Sequence, residues 1–222
     1  MLPFSASEYD QRIANVHARM AEQGLEVLVV TSPANMNYLS GYDAWSFYEP
    51  QAIFIEGTSS QPLWVGRPQD ANSARMTTRL DDDHILTYPE AYIELPAHHP
   101  TERFAEILAA RGWGQSRIGI EGDGYYTTPK LDWVLRQFLP EAEIVDADLL
   151  VSWVRAVKSE AEIDYMRQAA QIAQRAMTVA IETIRPGVRE CDAAAEIVRA
   201  QVRGTDQFGG DYPAIFPIVL TG

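Results

Sequence analysis

A chain of 222 residues, 46% hydrophobic and 22% charged, is long enough for one large domain or for one domain and part of another. Its 18 Lys and Arg stand against 31 Asp and Glu, and a formal charge of -13 repels a phosphate backbone, so nucleic acid is not an expected partner. The single cysteine, Cys191, allows neither an intrachain disulfide nor a Cys-based zinc cluster, Met1 to Ser5 carry no export signal, and no run approaches the ~20 apolar residues of a membrane span, so a cytoplasmic protein is expected.

The first predicted helix opens at Ser5, with Glu8 three places on as a capping box. It buries Tyr9, Ile13, Val16 and Met20 at helical spacing and stops at Gly24. The short run Leu25 to Val30, bounded by Ser32-Pro33, reads as a buried strand. Apolar segments at Ala52 to Ile55 and Pro62 to Val65, separated by Gly57-Thr58-Ser59-Ser60, read as a hairpin. Glu102 to Arg111 is a helix with Phe104, Ile107 and Leu108 inward and Gly112 as its stop, and Arg117 to Ile120 is the next strand. Thr128-Pro129 opens a helix that buries Leu131, Val134, Leu135 and Phe138, and Ile144-Val145 is the strand after it. Helices alternating with short apolar strands predict an α/β domain with a mixed sheet over residues 1–153.

From residue 154 the pattern changes, and residues 154–222 read as an incomplete second domain. Ser159 and Glu162 form a second capping box, followed by a stripe of Ile163, Met166, Ala170, Ala173, Met177, Ile181 and Ile184 that ends at Pro186-Gly187. A second helix is predicted from about Glu190 to Arg203, stopping at Gly204, and Phe208 to Gly222 reads as Gly-rich and strand-like. The large apolar residues of that stripe, left bare, would forfeit about 10 kcal/mol, so a partner subunit or a sheet that these residues do not supply is expected to cover it. The second is favoured, because the chain ends in a fresh strand rather than at a helix stop.

Motifs with catalytic spacing are scarce. There is no G-x-S-x-G elbow, no H-E-x-x-H, no phosphate-cradling P-loop and no dinucleotide G-x-G-x-x-G. His98-His99, next to Pro100, suits a helix entry better than a chelating pair, and Asp81-Asp82-Asp83-His84 suits a solvated turn better than a cation loop. The segment Asn35 to Tyr48 differs, because it crowds large aromatics and polar groups into what reads as a loop after the first strand. On residue type alone its rings could fill the core or form a wall against a small ring or cation.

Asn35 to Gly41 resembles the N-x-x-Y-x-[ST]-G stretch of the creatinase-type N-terminal domain. Arg155 to Ile163 resembles the R-x-x-K-[ST]-x-x-E-[IL] junction opening the catalytic domain of the creatinase/aminopeptidase P family, and Ile184-Arg185-Pro186-Gly187 matches a turn between that domain's first helices. Gly41 to Tyr48 and Gly204 to Ile215 resemble the ectoine-hydrolysing branch of that family rather than its proline peptidases. The resemblance implies an N-terminal α/β domain, the beginning of a pita-bread catalytic domain, a homodimer, and hydrolytic opening of a small zwitterionic cyclic amidine to acetylated diaminobutyrate. It implies no cofactor for that chemistry, and two divalent metal ions if the alternative, a metal-dependent Xaa-Pro peptidase, holds. A third reading is a non-catalytic, protein-binding relative. The resemblance also implies that Trp45, Phe47 and Tyr48 contact substrate in a neighbouring subunit's site, with Asp211 and Tyr212 on the approach. The family's catalytic residues are expected beyond Gly222, so no catalytic or metal-binding residue is assigned within the chain, which by itself is expected to be inert.

Overall fold

The computed structural model describes residues 2–95 and 97–220 and divides into two compact units, residues 1–157 and 158–222.

The first unit is a six-stranded mixed sheet covered on both faces. Its strands are β1 (Val27–Val30), β2 (Ala52–Glu56), β3 (Leu63–Gly66), β4 (Ile85–Thr87), β5 (Arg117–Ile120) and β6 (Glu143–Asp146), in the spatial order β4-β3-β2-β1-β5-β6. The β1, β2 and β3 strands pair antiparallel, as the predicted hairpin requires, while β3 with β4, β1 with β5 and β5 with β6 are parallel. All four β1 residues are buried, since alternate side chains serve opposite faces. Leu28 and Val30 join Ile13, Val16, Met20 and Trp64 on one face; Val27 and Val29 join Phe54, Phe104, Leu108 and Leu135 on the other.

The helices follow their caps. In α1 (Ala6–Glu22) the Ser5 side chain accepts from the Glu8 N–H, and Tyr9, Ile13, Val16 and Met20 are buried. The predicted box is only half formed, because the Glu8 carboxylate reaches Arg12 at 3.2 Å. Arg12 is itself buried, and a buried guanidinium takes the nearest carboxylate. In α4 (Pro100–Ala110) His99 is the N-cap, its ring accepting from the Thr101 N–H and closing a box with Glu102; His98 stacks on Tyr92 at 4.7 Å. The pair therefore serves a helix entry. In α5 (Pro129–Phe138) Leu131, Val134 and Leu135 are buried as expected, but Phe138 is half exposed and Leu139, the C-cap, takes the inward position.

Elements beyond the predicted set are α2 (Pro33–Ser40), α3 (Ala71–Thr77), β4 and α6 (Leu150–Ala156). The most consequential is α2: the Ser32-Pro33 pair that ends β1 also starts a helix, with Pro at its first turn, so only the second half of the Asn35 to Tyr48 segment is loop. Asp82 to His84 form a single 3-10 turn, with His84 bonded to Asp81 and Asp82 to Arg75.

The second unit contains α7 (Glu160–Thr183) and α8 (Glu190–Arg203). Ser159 and Glu162 complete their capping box in both directions, and Gly204 ends α8 with φ 68°. The two helices meet through Ala176, Ile197 and Ala200, with Val179, Ala180 and Val219 packed alongside. The predicted stripe does not make this contact: Met166, Met177, Ile181 and Ile184 are exposed. The strand expected over Phe208 to Gly222 is absent from its described residues, which run irregularly to Leu220; Thr221 and Gly222 lie outside the described part. A strand is held by a neighbour's backbone, and the described residues of this unit offer no other strand to pair with.

Candidate functional site

One edge of the sheet gathers the polar chemistry of the first unit. Because Val30 pairs with Ile53, Ala52 with Val65, Gly66 with Thr87, Val29 with Ile120 and Ile120 with Asp146, the loops at Thr31, Gln51, Arg67, Tyr88, Glu121 and Asp146 all leave from that edge. Carboxyl ends of parallel strands are where open α/β sheets place ligands.

At its centre lies Glu121, directly after β5 and 3% exposed. Its Oε2 accepts from the N–H groups of Thr31 (2.8 Å) and Ser32 (2.9 Å), and its Oε1 from the Asn35 amide. Asn35 Oδ1 in turn accepts from Arg155 Nη1 at 2.7 Å. Burial raises the Glu121 pKa, opposed by the bonds from Ser32, Asn35 and Thr31 and by the Arg155 charge. This network gives the motif at Asn35 to Gly41 a structural reason. Asn35, in α2, links Glu121 after β5 to α6; Tyr38 lies against the Arg12 and Arg155 guanidinium groups, at 4.5 and 5.8 Å; Ser40 Oγ bonds back to Met36 O; Gly41 adopts φ 84°. Any Cβ at Gly41 would lie 2.8 Å from Thr77 O and from the Tyr9 hydroxyl.

From Gly41 the chain enters the aromatic loop, which is anchored beneath and exposed above. Tyr42 is buried, its ring tilted 49° against Trp64 with centroids 5.3 Å apart, and it donates its hydroxyl to Gln51 Oε1 at 2.8 Å; burial pushes its pKa up. Ser46 is bonded to Asp70, which also accepts from Arg67 Nε at 2.8 Å. Above this anchor Trp45, Phe47 and Tyr48 are 59%, 40% and 60% exposed. Their rings meet edge to face, Trp45 to Phe47 at 5.3 Å and Phe47 to Tyr48 at 5.9 Å, and Phe47 meets Tyr126 at 6.2 Å. The predicted trio is thus brought together, on the surface rather than in the core.

Asp211 and Tyr212 belong to the second unit, in the irregular segment after α8, where Asp211 Oδ1 accepts from the Tyr212 N–H at 2.7 Å. The sequence marks neither Tyr126 nor the Arg67 and Asp70 anchor. Glu121 had a signal, a carboxylate directly after an apolar strand. Among the described residues no group of three or more His, Cys, Asp or Glu is placed to hold a metal ion, and no helix is long and apolar enough to cross a membrane.

Comparison with known proteins gives this architecture its family. Residues 12–157 match the creatinase/prolidase N-terminal domain and residues 164–222 match metallopeptidase family M24. The chain belongs to the creatinase/prolidase family. It is 45% identical to an uncharacterized hydrolase/peptidase of Sinorhizobium fredii, over 98% of this chain and 55% of that protein. It is 42% identical to an ectoine hydrolase of Halomonas elongata, over 100% of this chain and 57% of that protein. The chain therefore spans a little over half the length of these curated relatives. A prolidase from Thermococcus sibiricus shares the fold at a TM-score of 0.74 and 16% identity, over 95% of this chain and 53% of that one.

Proposed function

We propose that the chain is the front portion of a hydrolase that opens a small cyclic amidine of the ectoine type. The observation that carries this reading is the 42% identity to an ectoine hydrolase along the whole chain, which includes the aromatic loop. The loop chemistry supports it. A zwitterion with a delocalised amidinium is well matched by exposed π faces, which attract cations most strongly once water is excluded. Trp45, Phe47 and Tyr48 are held edge to face on an anchored base, so they would meet a substrate as a rigid wall with little ordering cost.

In this reading the wall is presented to the catalytic domain of a second subunit in a homodimer, Asp211 and Tyr212 lie on the substrate's approach, and the reacting groups belong to the part of the catalytic domain that these residues do not include. The exposed stripe of Met166, Met177, Ile181 and Ile184 supports further structure over α7. The role of the present residues is to bind, orient and exclude water, and no cofactor is invoked for the amidine.

The test is the full-length protein assayed for ectoine loss with and without a chelator. Loss of ectoine that survives chelation is expected. Activity confined to Xaa-Pro peptides and abolished by chelation would reject the proposal in favour of the metal-dependent peptidase.

A further inference from the structure

The aromatic wall is held from a second loop. Residues 121–128 connect β5 to α5 and leave from the same sheet edge as the aromatic loop. Two rings stand out from this short connection, Tyr125 wholly exposed and Tyr126 41% exposed. With Phe47 and Tyr48 they border one cleft of about 140 Å³. Exposed apolar side chains scattered singly need no explanation, whereas a contiguous group of them marks a working surface.

The connection is tied down along its length. Glu121, at its start, is buried and accepts from the N–H groups of Thr31 and Ser32, just after β1. The Gly122 N–H donates to Asp146 Oδ1 at 3.1 Å, and a Cβ at Gly122 would lie 2.6 Å from that carboxylate. The Gly124 N–H then donates to Glu121 O at 2.9 Å and the Thr127 N–H to Gly124 O at 3.0 Å, which makes two successive turns. At the far end the Thr127 hydroxyl lies 2.7 Å from the Thr31 hydroxyl, and Thr128 accepts from the Leu131 N–H at 3.2 Å as the cap of α5. Tyr125 and Tyr126 are thus carried by backbone fastened beside Thr31 on both sides. From that fixed place the Tyr126 ring meets Phe47 edge to face, at 6.2 Å and 75°. Trp45 and Tyr48 also meet Phe47, but they share its loop and would move with it. Tyr126 comes from a different element, so its contact sets Phe47 relative to the sheet.

We infer that Tyr126 is a positioning residue for the amidine: it holds the Phe47 ring in the orientation that the substrate meets, and acts through Phe47 rather than by binding the substrate itself. The inference rests on the hydrolase reading above and adds to it a residue from outside the aromatic loop. An edge-to-face pair uses the ring and not the hydroxyl, so Phe at this position serves as well as Tyr and an aliphatic side chain does not. A ring ordered before the substrate arrives spares the cost of ordering it on binding. That saving is the same in the ground state and the transition state, so its loss falls on KM and not on kcat.

The test is the steady-state kinetics of the full-length protein with ectoine. Tyr126→Ala is expected to raise KM about fivefold at constant kcat, the scale of ordering one side chain. Tyr126→Phe should keep both constants, and Tyr126→Leu, which retains apolar bulk without a ring, should behave as Tyr126→Ala. Because Tyr126 acts through Phe47, adding Tyr126→Ala to Phe47→Ala should cost no more than Phe47→Ala alone. If Tyr126→Ala does not fold, Tyr126→Leu takes its place in each comparison. Unchanged KM in Tyr126→Ala, a loss in Tyr126→Phe equal to that in Tyr126→Ala, a fall in kcat without a rise in KM, or additive effects with Phe47→Ala would overturn the role of Tyr126 and leave the hydrolase reading standing. Absence of ectoine turnover by the unmodified protein would instead overturn that reading, and this inference with it.

Discussion

Arg155 Nη1 donates to Asn35 Oδ1 at 2.7 Å across 120 positions of sequence, and Asn35 passes its own amide to the buried carboxylate of Glu121. The last helix of the first unit is thereby tied, through the Asn35 amide and the Glu121 carboxylate, to the end of its first strand at Thr31. Asn35→Ala leaves Glu121 Oε1 without that donor and should destabilise the chain by about 2 kcal/mol, the range for a bond to a charged group. Urea unfolding of Asn35→Ala, Arg155→Ala and the double variant should give a coupling energy of about 0.5 to 3 kcal/mol. Simple additivity of the two single changes would show that the bond contributes nothing.

Glu121 makes stability depend on pH in a definite direction. Its pKa in the folded chain is raised, chiefly by burial, so over the window between the ordinary carboxylate value and the raised one the folded state holds a proton that the unfolded state has released. The contribution of this group is present below that window and is lost as pH rises through it, with a slope of at most about 1.4 kcal/mol per pH unit. Glu121→Gln has no such term. The stability advantage of the unmodified chain over Glu121→Gln should therefore shrink as pH rises above the ordinary carboxylate range, as measured by denaturant midpoints at several pH values. A constant or widening difference contradicts the assignment.

Gly41 is required twice over, by its φ of 84° and by the 2.8 Å approach of Thr77 O to any added Cβ. Gly41→Ala should cost about 2 kcal/mol or more, from the left-handed backbone and the clash together, and should lower the thermal midpoint. Gly187 has a similar φ of 90° but open space around it, so Gly187→Ala should show the smaller, conformational part alone.

The aromatic wall should matter to function and not to folding. Phe47 is partly exposed and its ring meets Trp45, Tyr48 and Tyr126. In the full-length protein Phe47→Ala should leave the circular dichroism spectrum unchanged and lower kcat/KM for the amidine about tenfold, the scale of one desolvated cation–π contact. A variant with unchanged kinetics would remove the loop from the substrate site.

Most of the sheet was legible, because its signals are local. Ser5, Thr128 and Ser159 cap the helices they precede, Gly112 and Gly204 follow those they end, and the hairpin around Gly57 pairs Ala52 with Val65 as its alternation implies. Elements with weak local signals escaped. The α2 helix has an apolar spacing blurred by Asn35 and Asn37, and three-residue β4 is set by pairing with β3 rather than by its own residues. The aromatic trio was legible as a cluster of unusual composition, but composition does not say whether rings point inward; the Ser46–Asp70–Arg67 anchor decides that they stand outside.

What the sequence determined by itself is the order of the strongly patterned elements and the family, since capping, periodicity and a short run of motif residues are all properties of neighbours along the chain. What only the tertiary structure decided is the company each polar group keeps. Glu121 with Asn35, Ser46 with Asp70, and the exposed face of α7 all depend on which distant residues the folded chain brings within a few ångströms or leaves uncovered. Hydrogen bonding and burial act at that range, and the spacing of letters does not encode it.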